Sequence, residues 1–283
     1  MNPYLYLAIF VLIVQLSCTE EVEESITINF DRSFVYEDAS LHFGENYFID
    51  VLINTRGEKN AISVITIMKD EEIILDTSLN TKSTRFRHHH VKDEDLQTKW
   101  TFHAKDISDN KVTEEITLSL RYHSLNALDS LTVFAAQNED EGSLFSSDFN
   151  ISYKADMDST NSKFVDMICF YHENLNRLSL FSPDQSLPAE VEELIKTARW
   201  PDINSTEFFE LAWSDSDLYD IQNDSALLFT YLKDIKTIKK IERLNKKSIY
   251  GFKTKDLKFG AFRIDSVLNR DTGFVHISIK TPN

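Results

Sequence analysis

The chain has 283 residues, with 30 Lys and Arg against 46 Asp and Glu for a net charge of -16, and 42% of it is hydrophobic. That balance excludes nucleic acid as a partner, because neutralising phosphates needs a concentrated basic surface. Twenty Phe, ten Tyr and only six Gly exclude a glycine-rich fibrous or disordered chain and leave enough apolar material for packed cores.

The first element is an uncharged apolar run from Tyr4 to Leu16 that ends in Leu16-Ser17-Cys18, with Glu20, Glu21, Glu23 and Glu24 close behind. A membrane-spanning helix needs roughly 20 apolar residues, so this shorter run reads as the apolar core of a secretory signal. Small Ser17 before Cys18 suits a peptidase that cuts there once the thiol is lipidated. Residues 1–17 are therefore expected to be a lipoprotein signal peptide, Cys18 the lipidated first residue of the mature protein, and 18–25 an acidic linker. An ordinary cleaved signal with an incidental cysteine is the competing reading; Met1-Asn2-Pro3 carries no Lys or Arg, and Gln15 stands where an aliphatic residue is usual. Cys169 is the second of two cysteines and lies in an apolar stretch, so no intramolecular disulfide forms once Cys18 is lipidated, and a buried small side chain is expected there.

The mature chain exceeds the usual single-domain size of roughly 100 to 150 residues, which predicts two domains. From residue 26 to 123 the sequence breaks into short alternating runs: Ile26–Phe30, Phe48–Asn54, Ile62–Lys69, Glu72–Asp76, Arg85–His89, Lys99–Ala104 and Glu115–Tyr122. Seven such strands predict an all-β immunoglobulin-like sandwich. After a connector near His123 to Asp129, residues 130–283 are expected to form an α+β domain. Its strands are expected at Leu131–Ala135 and Lys163–Phe170, and its helices at Pro188–Arg199, Ser205–Leu211, Asp215–Ile221 and Ser225–Leu232. It closes in an antiparallel meander of Ile238–Leu244, Lys247–Thr254, Phe259–Val267 and Gly273–Ile279.

Trp100-Thr101-Phe102-His103-Ala104-Lys105-Asp106, a turn at Ile107 to Asn110, and Val112 to Leu120 resemble the last hairpin of the Ig-like or PKD-like modules of Bacteroidota surface lipoproteins, with Asp109 where that turn usually has Gly. In the second domain, Ala136-Gln137-Asn138, Gly142-Ser143-Leu144-Phe145, Phe181-Ser182-Pro183 and Gly251-Phe252-Lys253-Thr254 resemble the C-terminal domain of uncharacterised members of that group. The resemblance implies location and architecture and no activity. It implies that Glu20, Glu21, Glu23 and Glu24 act as an export signal to the outer face of the outer membrane, where the lipid anchor would hold the protein facing the cell exterior.

Few motifs carry chemistry. In His88-His89-His90 only alternate residues share a strand face, so an exposed polar strand is expected and no metal site. His172-Glu173-Asn174-Leu175-Asn176 lacks the second histidine of a zinc-protease helix, and Trp200-Pro201-Asp202 has no phosphate cradle to serve. Asp215, Asp217 and Asp220 do not follow a calcium-loop order and read as caps and turns. Residues 126–232 carry 5 basic and 20 acidic side chains, whereas 233–258 carry 10 basic and 3 acidic. Within that segment Lys233, Lys236, Lys239, Lys240, Arg243, Lys246 and Lys247 make a candidate strip for an anionic partner, set against a solvated edge whose lysines discourage strand pairing. The whole reads as a non-catalytic binding or accessory module for a glycan or surface protein, with no cofactor. An envelope hydrolase with unrecognised carboxylates and a structural part of a surface assembly are the alternatives.

Overall fold

The computed structural model describes residues 26–57, 60–233 and 235–283; the leader, Cys18 and the glutamates behind it lie outside the described residues. The chain divides into two compact units, the first ending at Leu120 and the second running from Arg121 to Asn283.

The described residues of the first unit form eight strands: β1 (Ile26–Phe30), β2 (Ala39–His42), β3 (Asn46–Thr55), β4 (Ile62–Lys69), β5 (Glu72–Thr81), β6 (Ser83–Val91), β7 (Gln97–Asp106) and β8 (Lys111–Arg121). They form a sheet in the order β1-β3-β6 and another in the order β2-β8-β7-β4-β5. Alternation dictates the packing: Tyr47, Ile49, Val51 and Ile53 of β3 point into one core with Trp100, Phe102 and Ala104 of β7 and Ile65 and Ile67 of β4. The short β2 is the strand that the sequence does not reveal, and β5 runs five residues past its expected end at Asp76.

Turn chemistry fixes the register. Asp70 and Glu71 both take positive φ (47° and 73°), the two-residue geometry that suits a β hairpin, and Asp70 is tied to β7 through its Oδ1, which accepts from the Lys99 N–H at 2.6 Å. Asp109 has φ 73°; the buried Asp106 carboxylate holds this turn by accepting from the Ser108 and Asn110 N–H groups at 2.9 Å each.

The second unit contains β9 (Asp129–Phe134), β10 (Leu144–Ser146), β11 (Ile151–Tyr153), β12 (Met167–His172), β13 (Arg177–Phe181), β14 (Glu207–Leu211), β15 (Lys240–Ile241), β16 (Ile249–Lys253), β17 (Phe259–Leu268) and β18 (Phe274–Lys280). Its sheets run β11-β10-β12-β13-β15 and β14-β16-β17-β18-β9. Met167, Cys169, Leu178 and Leu180 of the first meet Phe208, Phe252, Phe262 and Ile277 of the second in the main core. The helices are α1 (Ala189–Ile195), α2 (Asp215–Asp220) and α3 (Ser225–Leu232). α1 lies on the outer face of the first sheet, where Val191, Ile195 and Trp200 cover Ile168 and Phe170. α2 and α3 lie against β17 of the second sheet.

This unit is therefore mainly β, with short helices as covers, and the expected α+β balance is corrected in that sense. The closing meander β16-β17-β18 is antiparallel throughout. Ser205–Leu211 is not a helix: Glu207–Leu211 is a strand paired with β16 in the register Phe209↔Gly251. Phe208 and Phe209 point to opposite faces and both are buried, so the apolar pair that suggests a helical stripe records a sheet covered on both sides. Lys163–Phe170 divides into a 3₁₀ helix, Ser159–Phe164, and the start of β12. Of the strand expected at Ile238–Leu244, only Lys240–Ile241 and an isolated bridge from Ile238 to Phe208 are paired.

In the second unit Gly251 lies close beneath the Phe209 ring, where a Cβ would stand 2.2 Å from the ring. Gly251→Ala is expected to destabilise the protein by about 1–3 kcal/mol through overpacking. Urea unfolding of the full chain measures this, and a variant as stable as wild type would show that the ring moves aside freely.

Candidate functional site

In one hollow of the described surface an aromatic face meets carboxylates, and the strand that places it is β14. The chain leaves β14 at Leu211, passes Trp213 and enters α2 at Ser214. A helix of six residues is marginal alone; this one is held at three points. Ser214 and Asp217 form a reciprocal capping box, with the Ser214 N–H donating to Asp217 Oδ2 at 2.7 Å. Asp215 pairs with Arg263 of β17 at 3.1 Å. At the other end Lys280 Nζ donates to the carbonyls of Tyr219 and Ile221, both at 2.6 Å, and so caps the helix C-terminus from β18. Between these anchors lies a hollow of about 420 Å³ lined by Trp213, Asp217, Asp220, Ile221 and Ala226. Trp213 is half-buried and Asp220 exposed. Hydrogen bonds from Ser214, first from its backbone N–H, hold the Asp217 carboxyl below the usual carboxylate range, so it is charged at neutral pH. The hollow presents an indole and two anionic acceptors, chemistry suited to polyhydroxylated or cationic ligands and unsuited to anions.

A larger hollow of about 520 Å³ lies on the outer face of the β4-β7-β8 strands of the first unit, around Met68, Thr101 and His103. Lys99 pairs there with Glu115 at 2.8 Å, and His103 Nδ1 meets Thr113 Oγ1 at 2.7 Å. It lacks an aromatic platform beyond the His103 ring.

The basic segment resolves into internal pairing and exposed loop ends. Lys239 pairs with Asp184 at 3.1 Å and donates to Ser205; Lys240 pairs with Glu242 at 2.6 Å and lies over the Phe181 ring. Lys233, Lys236, Arg243, Lys246 and Lys247 are exposed. Further along the same basic run, Lys253 pairs with Glu207, Lys255 with Asp202 and Lys258 with Asp148. Asp184, Glu207, Asp202 and Asp148 all belong to the acidic stretch before residue 233, so the two opposed runs of the sequence meet in the fold.

Catalytic candidates have structural employment. Cys169 is fully buried in the main core, where desolvation pushes its thiol up and leaves it unreactive. Asn176 has φ 51° and terminates a short 3₁₀ turn after β12, and Trp200 is buried under α1 while Asp202 pairs with Lys255. His276 touches two hydroxyls, Ser130 at 2.7 Å and Thr132 at 2.8 Å, but the nearby Asp265 is bound to Ser278 and Arg263, so no carboxylate orients the ring for nucleophilic catalysis. Asp166 and Asp224 are both pushed up to about 6, chiefly by burial. Asp166 accepts from the Ser147 N–H and hydroxyl at 2.8 and 2.7 Å, and Asp224 from the His123 N–H at 2.8 Å; each fastens one chain segment to another. Burial, helped by the adjacent His88, lowers His90 to about 4, which keeps it neutral. No group of three or more His, Cys, Asp or Glu side chains that could hold a metal stands among the described residues.

Trp213 went unnoticed in the sequence because the acids beside it read as caps, which Asp217 is. The available signal was an aromatic residue placed directly before a helix cap and outside any apolar period.

Neither a family model nor a curated protein matches the chain. Among solved structures it is similar to a DUF4466 family protein from Parabacteroides merdae, at 14% identity over 91% of this chain and 98% of that one, with a TM-score of 0.37. A third of the chain is similar to a CARDB domain from Pyrococcus furiosus, at 6% identity, 34% and 96% coverage and a TM-score of 0.26. It is also similar to fibronectin(III)-like modules of CbhA from Clostridium thermocellum, at 11% identity, 34% and 97% coverage and a TM-score of 0.23. At these scores none carries an activity over.

Asp166 makes a measurable prediction. Its folded pKa of about 6 stands above the ordinary 3.8, so the folded state holds the proton more tightly than the unfolded one. The resulting stabilisation is complete below about pH 4 and is lost as pH rises through about 6. Asp166→Asn removes this dependence, so the melting temperature of the variant relative to wild type should rise between pH 4 and pH 7, by the equivalent of up to roughly 3 kcal/mol. A difference that stays constant over that range would refute the shift.

Proposed function

We propose that this chain acts without catalysis, as a surface-anchored module that binds a glycan in the Trp213 hollow. The observation that carries this reading is the half-exposed indole flanked by Asp217 and Asp220 on a helix fixed at both ends. A sugar ring offers a C–H face to stack on an indole and hydroxyls to donate to carboxylates, and a rigid site keeps the ordering cost of binding low. An envelope hydrolase is the weaker reading: Asp166 and Asp224, the two acids that burial pushes up to about 6, each fasten one chain segment to another. An anionic partner on the basic segment is a second reading: Lys233, Lys236, Arg243, Lys246 and Lys247 are exposed, while Lys239 and Lys240 are engaged within the unit.

A neutral glycan identified by array screening should lose at least tenfold in affinity with Trp213→Ala and severalfold with Asp220→Asn, as read by calorimetry. Asp220 is chosen because Asp217 caps the helix. Unaltered affinity in both variants would place the ligand elsewhere, and hydrolysis of chromogenic glycosides would replace the binding reading by the enzymatic one.

The cellular setting is part of the same proposal: a lipid on Cys18 in the outer membrane, with Glu20, Glu21, Glu23 and Glu24 directing the protein to the exterior. The leader pattern supports it, and stable anchoring follows from several acyl chains on one residue. Radiolabelled palmitate should enter the wild-type protein and not Cys18→Ala; equal labelling would exclude the anchor.

A further inference from the structure

The first unit holds a pair of histidines whose arrangement neither the glycan reading nor the core uses. β6 pairs with β3 in the register Ile49↔His88 and Tyr47↔His90, so His88 and His90 share the face that looks between the two sheets, while His89 faces outward and meets Asn46 Oδ1 at 2.9 Å. β6 is an edge strand, and the side chains on its inner face open sideways to solvent: His90 is half-buried against Trp100 at 4.5 Å between ring centroids, and His88 is exposed and stacked on Phe86 at 5.8 Å. Their rings lie 4.2 Å apart, and Nδ1 of His88 is 2.7 Å from Nε2 of His90.

The nearby guanidiniums do not oppose a cation here. Arg85 and Arg87 alternate with the histidines onto the opposite face, where both pair with the buried Asp50 carboxylate and Arg85 also reaches Asp31. On the histidine side, Lys69 is paired with Asp93 at 2.7 Å.

We infer that His88 and His90 form a bidentate site for a divalent copper-class cation, with water completing the coordination. Two imidazole nitrogens on one ion at roughly 2.0 Å stand about 2.8–2.9 Å apart in a square-planar arrangement and about 3.3 Å apart in a tetrahedral one. The observed 2.7 Å is near the first, and exposed His88 supplies the remaining adjustment by side-chain rotation. Both rings coordinate as neutral imidazoles, each keeping its single proton on the nitrogen remote from the ion. The ligand set is nitrogen without carboxylate, which disfavours Mg²⁺ and Ca²⁺, and the expected order is Cu²⁺ above Ni²⁺ above Zn²⁺.

The test is titration of the full chain with CuCl₂, followed by tryptophan fluorescence, because an ion on His90 would quench the adjacent Trp100. One equivalent of Cu²⁺ should bind with quenching, and its electron paramagnetic resonance spectrum should show nitrogen ligation. His88→Ala, at an exposed position, should weaken binding at least tenfold with the melting temperature little changed, whereas His89→Ala should bind as wild type does. Undiminished binding in His88→Ala, or a loss in His89→Ala alone, would overturn the site.

Discussion

The β14-β16-β17 part of the second sheet buries apolar side chains on both faces, with Phe209, Ile249, Phe259 and Ala261 on the side away from the main core, and this is the constraint on which the second unit depends. Adjacent residues of a strand point to opposite sides, so a strand carrying Phe208 and Phe209 cannot bury both against a single layer. Phe208 joins the core between the sheets, and Phe209 turns outward over Gly251. Something must cover that outer face, and the segment after β14 does so at once as α2 and α3. The sequence between Leu211 and Leu232 is too short to travel, so the covers lie over the strands they leave. Trp213 occupies the bend between strand and cover, which is why an indole ends half-exposed beside the helix acids.

The other sheet of that unit follows the same rule. Ile168 and Phe170 of β12 face away from the main core and are covered by α1 and Trp200. Helices in this unit therefore serve as lids on sheets, and six to eight residues suffice for that. The first unit meets the constraint differently. Its strands alternate strictly enough that one face of each sheet is left largely open to water, and Asp50, buried on the outer face of β3 between the exposed Phe48 and Leu52, is neutralised by two arginines.

These differences explain what could be read in advance. Strands of the first unit were legible because one side faces water: Ile26–Phe30 and Ile62–Lys69 end where the alternation ends. β14 was misread because burial on both faces erases the period that distinguishes a strand from a short helix. β10 and β11, three residues each, are defined by their partners and leave no periodic signal. The histidine triplet was legible as a strand with alternate residues sharing a face, but whether the inner pair would be enclosed or open depends on β6 being an edge, a property of the tertiary pairing alone.

Charge follows the same logic. An excess of fifteen acids over residues 126–232 and of seven bases over 233–258 looks, in one dimension, like a surface prepared for an anionic partner. In three dimensions Lys239, Lys253, Lys255 and Lys258 each meet an acid of the earlier stretch, and Lys280 spends its charge on helix carbonyls. Exposed pairs of this kind contribute only about 0–1 kcal/mol each, so they do little to hold the unit together. Their consequence is for recognition: by pairing within the unit these lysines take up part of the positive charge, while the acids that line the Trp213 hollow make no ion pair with that run. The glycan proposed for that hollow would thus meet an indole beside Asp217 and Asp220, while any anionic partner would have to use the exposed Lys233, Lys236, Arg243, Lys246 and Lys247.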